Sequence, residues 1–137
     1  MPSLHADPLN QATSRRLSRV PRMDTAPERI VRAVVRALGL RYRLSNRDLP
    51  GSPDLANRRK KWAIFVHGCF WHRHKQCRLA YTPKSRVTFW TEKFRRNVER
   101  DHENAVAMRK LGWRVVTVWE CEAASPDKWI RKIGASK

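Results

Sequence analysis

Trp62-Ala63-Ile64-Phe65-Val66 is an unbroken apolar run set directly behind the polar stretch Asn57-Arg58-Arg59-Lys60-Lys61. A run so short, aromatic and β-branched, without polar alternation, reads as a central strand buried on both faces. The chain must therefore build a sheet with a layer on either side of it. Asn57 to Lys61 serves as a hairpin tip, and Asp54-Leu55-Ala56 begins the strand that pairs with the buried one. Alternation around Leu40, Tyr42 and Leu44 predicts a further short strand. Trp113 to Trp119, rich in β-branched and aromatic residues, predicts a last one.

Two helices flank these strands. Thr25 and Glu28 have capping-box spacing with Pro27 in the first turn, Ile30, Val31, Val34, Val35 and Leu38 follow at helical spacing, and Gly39 closes the end. A long polar helix is expected over about residues 88–111, with Phe94, Val98, Ala105, Met108 and Leu111 as its apolar face and Gly112 as its stop. Residues 68–87 read as irregular, and Trp129 and Ile130 as part of a short terminal helix. The order helix, three strands, helix, strand implies an α/β fold, a mixed sheet flanked by helices. Residues 1–23, with Pro2, Pro8, Pro21 and several arginines, read as a basic arm that is partly ordered or ordered by DNA, ahead of one domain over 24–137.

At 137 residues the chain can bury a single core. It carries 30 Lys and Arg against 12 Asp and Glu, a formal charge of +18. A domain that basic repels itself and attracts polyanions, which makes nucleic acid the leading partner and a target-free solvated surface the plain alternative. An anionic membrane surface fits less well, because no strongly apolar helix backs the charge. No apolar run approaches the roughly 18 residues of a membrane span, and no signal-peptide core follows the start. The expected location is the cytoplasm, at the bacterial nucleoid.

Three cysteines are an odd set for a disulfide framework, and all three fall into one pattern with a histidine. Cys69, His74 and Cys77 have C-x4-H-x2-C spacing, and Cys121 lies at the end of the last strand. Four N/S ligands suit a closed tetrahedral zinc site, structural because no position is left open. The alternative is three buried cysteines packing as small hydrophobes, with His74 on the surface.

Pro53-Asp54 follows the turn Leu49-Pro50-Gly51-Ser52, and if the next two strands form a hairpin, Asp54 lies beside Val66 and His67. The layout resembles PD-(D/E)xK nucleases, in which an aspartate and a residue on the following strand hold a divalent metal. Val66 and His67 stand where the second acid and the lysine would be. A site with one carboxylate would use the Val66 carbonyl and water, which magnesium tolerates. Asp54 alone reads better as a turn or cap residue. His67 and His72 flank Gly68-Cys69-Phe70-Trp71, and an imidazole can activate water or protonate a leaving oxygen near neutral pH. Either histidine taken alone reads better as a satisfied core residue or a third metal ligand. Phe70, Trp71 and Trp90 are core if buried; exposed, they could wedge between base steps.

Taken in order, Thr25-Ala26-Pro27-Glu28, Gly51-Ser52-Pro53-Asp54, Phe65-Val66-His67-Gly68-Cys69-Phe70-Trp71-His72-Arg73-His74, Phe89-Trp90, Asn97-Val98-Glu99-Arg100-Asp101, Leu111-Gly112-Trp113-Arg114-Val115 and Val118-Trp119-Glu120-Cys121 resemble the very short patch repair (Vsr) endonucleases. The resemblance covers about residues 12–122. It implies a restriction-endonuclease-like core with a PD-(D/E)xK-type site that nicks one strand 5′ to the thymine of a T:G mismatch, the product of 5-methylcytosine deamination. It assigns Mg²⁺ to Asp54 with the Val66 carbonyl, although the family often has threonine at that position. It assigns His67 and His72 to the scissile phosphate, one as general base and the other on the phosphate or leaving group. Glu28 and Asp101 would orient water at the metal, or His72. Phe70, Trp71 and Trp90 would be the intercalating wedge, and Cys69, His74, Cys77 and Cys121 the zinc ligands. A nick on one strand asks for a monomer; mismatch-repair proteins or a methyltransferase are the expected partners besides DNA. A relative without mismatch specificity and a non-catalytic, zinc-stapled DNA-binding module are the competing readings.

Overall fold

A computed structural model describes residues 25–134. The basic arm expected over residues 1–23 lies outside them. The first helix, α1 (Ala26–Ala37), begins as its sequence directs: the Thr25 hydroxyl accepts from the Glu28 amide at 3.4 Å and Pro27 occupies the first turn. It ends at Leu38, and Gly39 follows with φ 72°, in the left-handed region that glycine enters freely. Val31 and Val35 are fully buried, whereas Ile30 and Leu38 are exposed, so the buried stripe is narrower than the apolar spacing predicts.

Three strands form one sheet in the order β1 (Leu55–Asn57), β2 (Trp62–His67), β3 (Arg114–Trp119). β1 pairs antiparallel with β2, Leu55 opposite Ile64, through a hairpin in which the Lys60 amide donates to the Asn57 side chain at 2.8 Å. β2 and β3 run parallel, with Trp62 opposite Arg114 and His67 opposite Trp119. The strand expected around Leu40, Tyr42 and Leu44 does not form. One bridge, Arg43 to Ala56, stands in its place. Tyr42 and Leu40 pack on the core as loop residues, so alternation there reports burial without pairing.

The period of two along β2 sorts the core. Trp62 and Ile64 join Val31, Val35, Leu55, Val116, Val118 and Trp129 on the α1 face. Ala63 and Phe65 join Ala56, Met108 and Trp113 on the other, under α3 (Val87–Lys110). Covering both faces of β2 is what its unbroken apolar run demands. Trp129 and Ile130 stand at the start of a 3₁₀ turn over Ile130–Ile133 rather than on an α-helix, and Trp129 is fully buried.

Helix α3 buries Trp90, Phe94 and Met108, while Val98 and Leu111 are exposed. The expected apolar face is therefore misplaced. At 100° per residue the stripe through positions 90, 94, 101 and 108 is continuous, and Val98 and Leu111 lie at its edges. Asp101 stands on this stripe, because there the helix faces a polar cleft. Residues 68–87 are less irregular than their sequence suggests. A single helical turn, α2 (Cys69–His72), opens the segment and stops at Arg73, with φ 57°.

Candidate metal centre and active-site cleft

Parallel pairing explains how distant residues come to share a site. With Val66 opposite Val118 and His67 opposite Trp119, Gly68-Cys69 and Glu120-Cys121 emerge side by side at the carboxyl ends of β2 and β3. The Cys69 amide, at the start of α2, donates to Glu120 Oε1 at 3.2 Å. His74 Nδ1 lies 3.6 Å from Cys69 Sγ and 3.3 Å from Cys121 Sγ, and one donor atom from each of Cys69, His74, Cys77 and Cys121 falls within 4.8 Å of all the others. Ligands about 2.0–2.3 Å from a shared tetrahedral ion stand about 3.3–3.8 Å apart. The two imidazole–thiol distances meet that condition, so these four residues can hold a metal ion. Trp119 stacks on the His74 ring at 4.3 Å and fixes its plane. Burial pushes the Cys69 thiol up to about 12 and the Cys121 thiol upward, whereas the Leu79 amide draws Cys77 downward.

On the α3 face of the same strand end lies a cleft of about 210 Å³, lined by Glu28, Asp54, Val66, His67, His72, Asp101 and Asn104 among others. Asp54 is tied to β2 twice: its amide donates to the Ile64 carbonyl at 2.9 Å, and its Oδ2 accepts from the Val66 amide at 2.6 Å. Burial raises its carboxyl to about 6; the Val66 amide opposes that rise, and the Glu28 carboxylate adds to it. His67, the last residue of β2, points to the α3 side with its side chain 12 % exposed. Burial, then the neighbouring His72, hold it down to about 4.

His67 and His72 stack, centroids 3.9 Å apart and planes 6° from parallel. His72 Nδ1 meets Asp101 Oδ2 at 2.5 Å, and His67 Nε2 lies 4.0 Å from Asp101 Oδ1. Asp101 thus fixes the His72 ring and leaves its Nε2 for another partner. Glu28 lines the cleft from the first turn of α1 although its amide is also capped by Thr25. The cleft therefore gathers Asp54, Val66, His67, His72, Glu28 and Asp101, drawn from five segments of the chain.

The aromatic trio sits differently. Phe70 is 8 % and Trp90 3 % exposed, packed with Phe94 in a cluster of its own, and only Trp71 of the three is partly open. In this conformation they form a core rather than a protruding wedge. Asn97 Nδ2 donates to the Trp71 carbonyl at 3.2 Å and pins α2 to α3.

Sequence reasoning gave no role to Asn104, Asn97 or Glu120. Asn104 presses on the loop before Asp54: a Cβ on Gly51, whose φ is 74°, would meet its Nδ2 at 2.8 Å. A polar residue every third or fourth position along α3, at Asn97, Asp101 and Asn104, was the available signal.

An α/β layering, histidines at and just past the end of a parallel strand with carboxylates brought to them from other elements, and a strongly basic chain fit a nucleic-acid hydrolase. Residues 6–79 match the family model for the DNA mismatch endonuclease Vsr. The chain is 40% identical over 124 residues to the DNA mismatch endonuclease Vsr of Escherichia coli, which covers 90% of this chain and 79% of that protein. It is 42% identical over 106 residues to a type II nicking enzyme of Xanthomonas oryzae pv. oryzae, 77% of each chain. A type II nicking enzyme of Neisseria meningitidis serogroup A is 41% identical over 72% of this chain and 70% of its own. The chain belongs to the Vsr endonuclease family and is a DNA endonuclease. No helix among the described residues is long and apolar enough to cross a membrane.

Proposed function

We propose that this endonuclease nicks one strand of duplex DNA 5′ to the thymine of a T:G mismatch, using Mg²⁺ held by Asp54 and the Val66 carbonyl and a structural zinc ion held by Cys69, His74, Cys77 and Cys121. The observation that carries this reading is the convergence of Asp54, the His67–His72 stack and Asp101 on one cleft beside a four-donor Cys/His cluster. The donor set supports each metal: three thiols and an imidazole suit zinc, and a carboxylate next to backbone suits magnesium. Magnesium, when bound, neutralises charge developing on the phosphate oxygens.

The side chains then divide the proton work. Asp54, raised to about 6, is ionised at neutral pH and supplies the anionic ligand. His72, oriented through Nδ1 by Asp101, has Nε2 free to take the proton of the attacking water. His67 is held neutral, so it offers one N–H to a phosphate or leaving oxygen without adding charge. Glu28 orders water at the cleft floor. Cys69 opens the helical turn that carries His72, so the zinc staple sets the register of the catalytic histidine.

Trp71, partly open beside the buried Phe70 and Trp90, leads the proposed intercalating wedge. Opening a step costs a few kcal/mol and less where bases are mispaired, so intercalation favours a mismatch. The basic arm over 1–23 extends the electrostatic footprint of the 24–137 domain, and the enzyme works as a monomer at the cytoplasmic nucleoid, alongside methyltransferase or mismatch-repair partners. A panel of duplexes with one T:G pair in varied flanks, with Mg²⁺ or EDTA, tests the proposal. Nicking confined to T:G duplexes with Mg²⁺ supports it; equal cutting of matched DNA, or none in any T:G context, overturns it.

A further inference from the structure

Asp54 sits at the end of a loop whose shape depends on one buried amide. Asn46 is 1 % exposed, the most enclosed polar side chain of that loop. Its Nδ2 donates to the Arg43 carbonyl at 2.8 Å and to the Pro53 carbonyl at 3.1 Å. Its Oδ1 accepts from Arg58 Nη2 at 3.1 Å. The Asn46 carbonyl accepts from the Leu49 amide at 3.1 Å, and the Ser52 amide returns to the Leu49 carbonyl at 3.0 Å.

These bonds gather three segments at the open edge of the sheet. Arg43 is the residue that bridges to β1 at Ala56; Pro53 immediately precedes Asp54; Arg58 lies in the hairpin after β1. Arg58 is itself held by Asp48, at 2.8 and 2.7 Å to the two carboxylate oxygens. Two donors and an acceptor on a short stem are what an amide provides, and Asn46 uses all three. Removing it would take the donor from the Pro53 carbonyl next to Asp54, while the Arg43 carbonyl keeps the Ala56 amide.

We infer that Asn46 is a positioning residue for the reaction: by clamping the Pro53 carbonyl it holds the Asp54 carboxylate against the Val66 amide, where the metal and the scissile phosphate must meet. The inference rests on the proposed role of Asp54. It acts through backbone alone, and Asn46 touches neither substrate nor metal.

The test uses the full chain, zinc-loaded, with Asn46→Ala, Arg58→Ala and Asp54→Asn beside it. The first readout is the Val66 amide proton by NMR, in zinc-loaded protein without Mg²⁺ or Mn²⁺, because a 2.6 Å bond to a carboxylate shifts that proton strongly downfield. The second is Mn²⁺ affinity by calorimetry, and the third is nicking. Asn46→Ala should move the Val66 resonance upfield toward its position in Asp54→Asn, weaken Mn²⁺ about tenfold and lower kcat by about 10–100-fold with little change in KM, in the range seen when support for a metal ligand is lost. Arg58→Ala, at a partly exposed residue, frees only Oδ1 and should shift the same readouts in the same direction by less. It keeps the test alive if Asn46→Ala fails to fold. Unchanged Val66 resonance and Mn²⁺ affinity in whichever variants fold overturn the inference. If Asp54→Asn itself nicks normally, the reading of the site fails instead, and the two failures are told apart.

Discussion

Both sites grow from the same strand ends, yet the Cys/His cluster and the acidic cleft are built on opposite principles. In the cluster, three thiols and an imidazole converge to within 4.8 Å around a place where a cation fits, and its most buried thiol is held protonated, up to about 12. Everything there waits for one ion, whose charge reverses that preference. In the cleft, a carboxyl raised to about 6 and an imidazole lowered to about 4 are each pushed by burial toward the uncharged form. The first arrangement trades no function for stability. The second holds ionisable groups where the fold would sooner have none, which is how sites tuned for proton transfer are commonly made. Filling the cluster should therefore stabilise the molecule, and neutralising the cleft should stabilise it too, while abolishing its work.

The sharpest way to break that contrast is Cys121→Ser. Zinc content should fall from near one per chain to a small fraction, and the melting temperature by roughly 10 °C or more, since structural zinc contributes many kcal/mol to small folds. Loss of zinc without loss of stability would remove the cluster from the stabilising side. Asp54→Asn should act in reverse. Nicking should drop about a thousandfold, several kcal/mol of lost charge stabilisation, while the melting temperature at pH 7–8 rises, because the variant no longer buries an ionised carboxylate. A fall in melting temperature would show that Asp54 supports the fold rather than strains it.

The buried strand Trp62–Val66, the hairpin before it and the Cys/His set were all legible, because each depends on local pattern or on residue types with few other uses. Pairing was less so. Leu40, Tyr42 and Leu44 alternate as a strand would, but nothing in alternation distinguishes a bridged loop from a ladder. The face of α3 was misread because Val98 and Leu111 were counted for their apolarity, when Asp101 holds the stripe and turns it into the wall of a cleft. Asn46 was invisible for a different reason. Its partners, Arg43, Pro53 and Arg58, are near in sequence, but no periodicity or motif marks which polar side chain such a loop folds around. Phe70 and Trp90 carry no sequence mark of burial, and the structure closes them into a core.

Within the cleft, the His72–Asp101 pair is the part closest in character to a well-matched cluster, with a 2.5 Å contact and complementary partners. With Asp54 as the proposed metal carboxylate, Asp101→Asn should keep the fold and Mn²⁺ affinity and lower kcat by about 10–100-fold by releasing the ring. An unchanged kcat would mean that stacking on His67 alone orients His72.

The smallest effect separates the two strained groups of the cleft. Asp54 is raised above its unfolded value of 3.8 to about 6, so the folded state keeps its proton longer, and stability from this group declines as pH rises through roughly 4 to 6. His67 is lowered from 6.5 to about 4, so the unfolded state takes up the proton first, and stability declines as pH falls through roughly 6.5 to 4. The two slopes oppose each other across nearly one window and should largely cancel in the wild-type chain. Asp54→Asn removes one of them. Its melting temperature should therefore fall on acidification from pH 6.5 to 4 by a few degrees more than that of the wild type, measured zinc-loaded at constant ionic strength with the His67→Asn, Asp54→Asn double variant as baseline. Parallel pH curves for the wild type and Asp54→Asn would mean that burial does not hold Asp54 above its unfolded value, and the cleft would then lose half of the strain that sets it against the cluster.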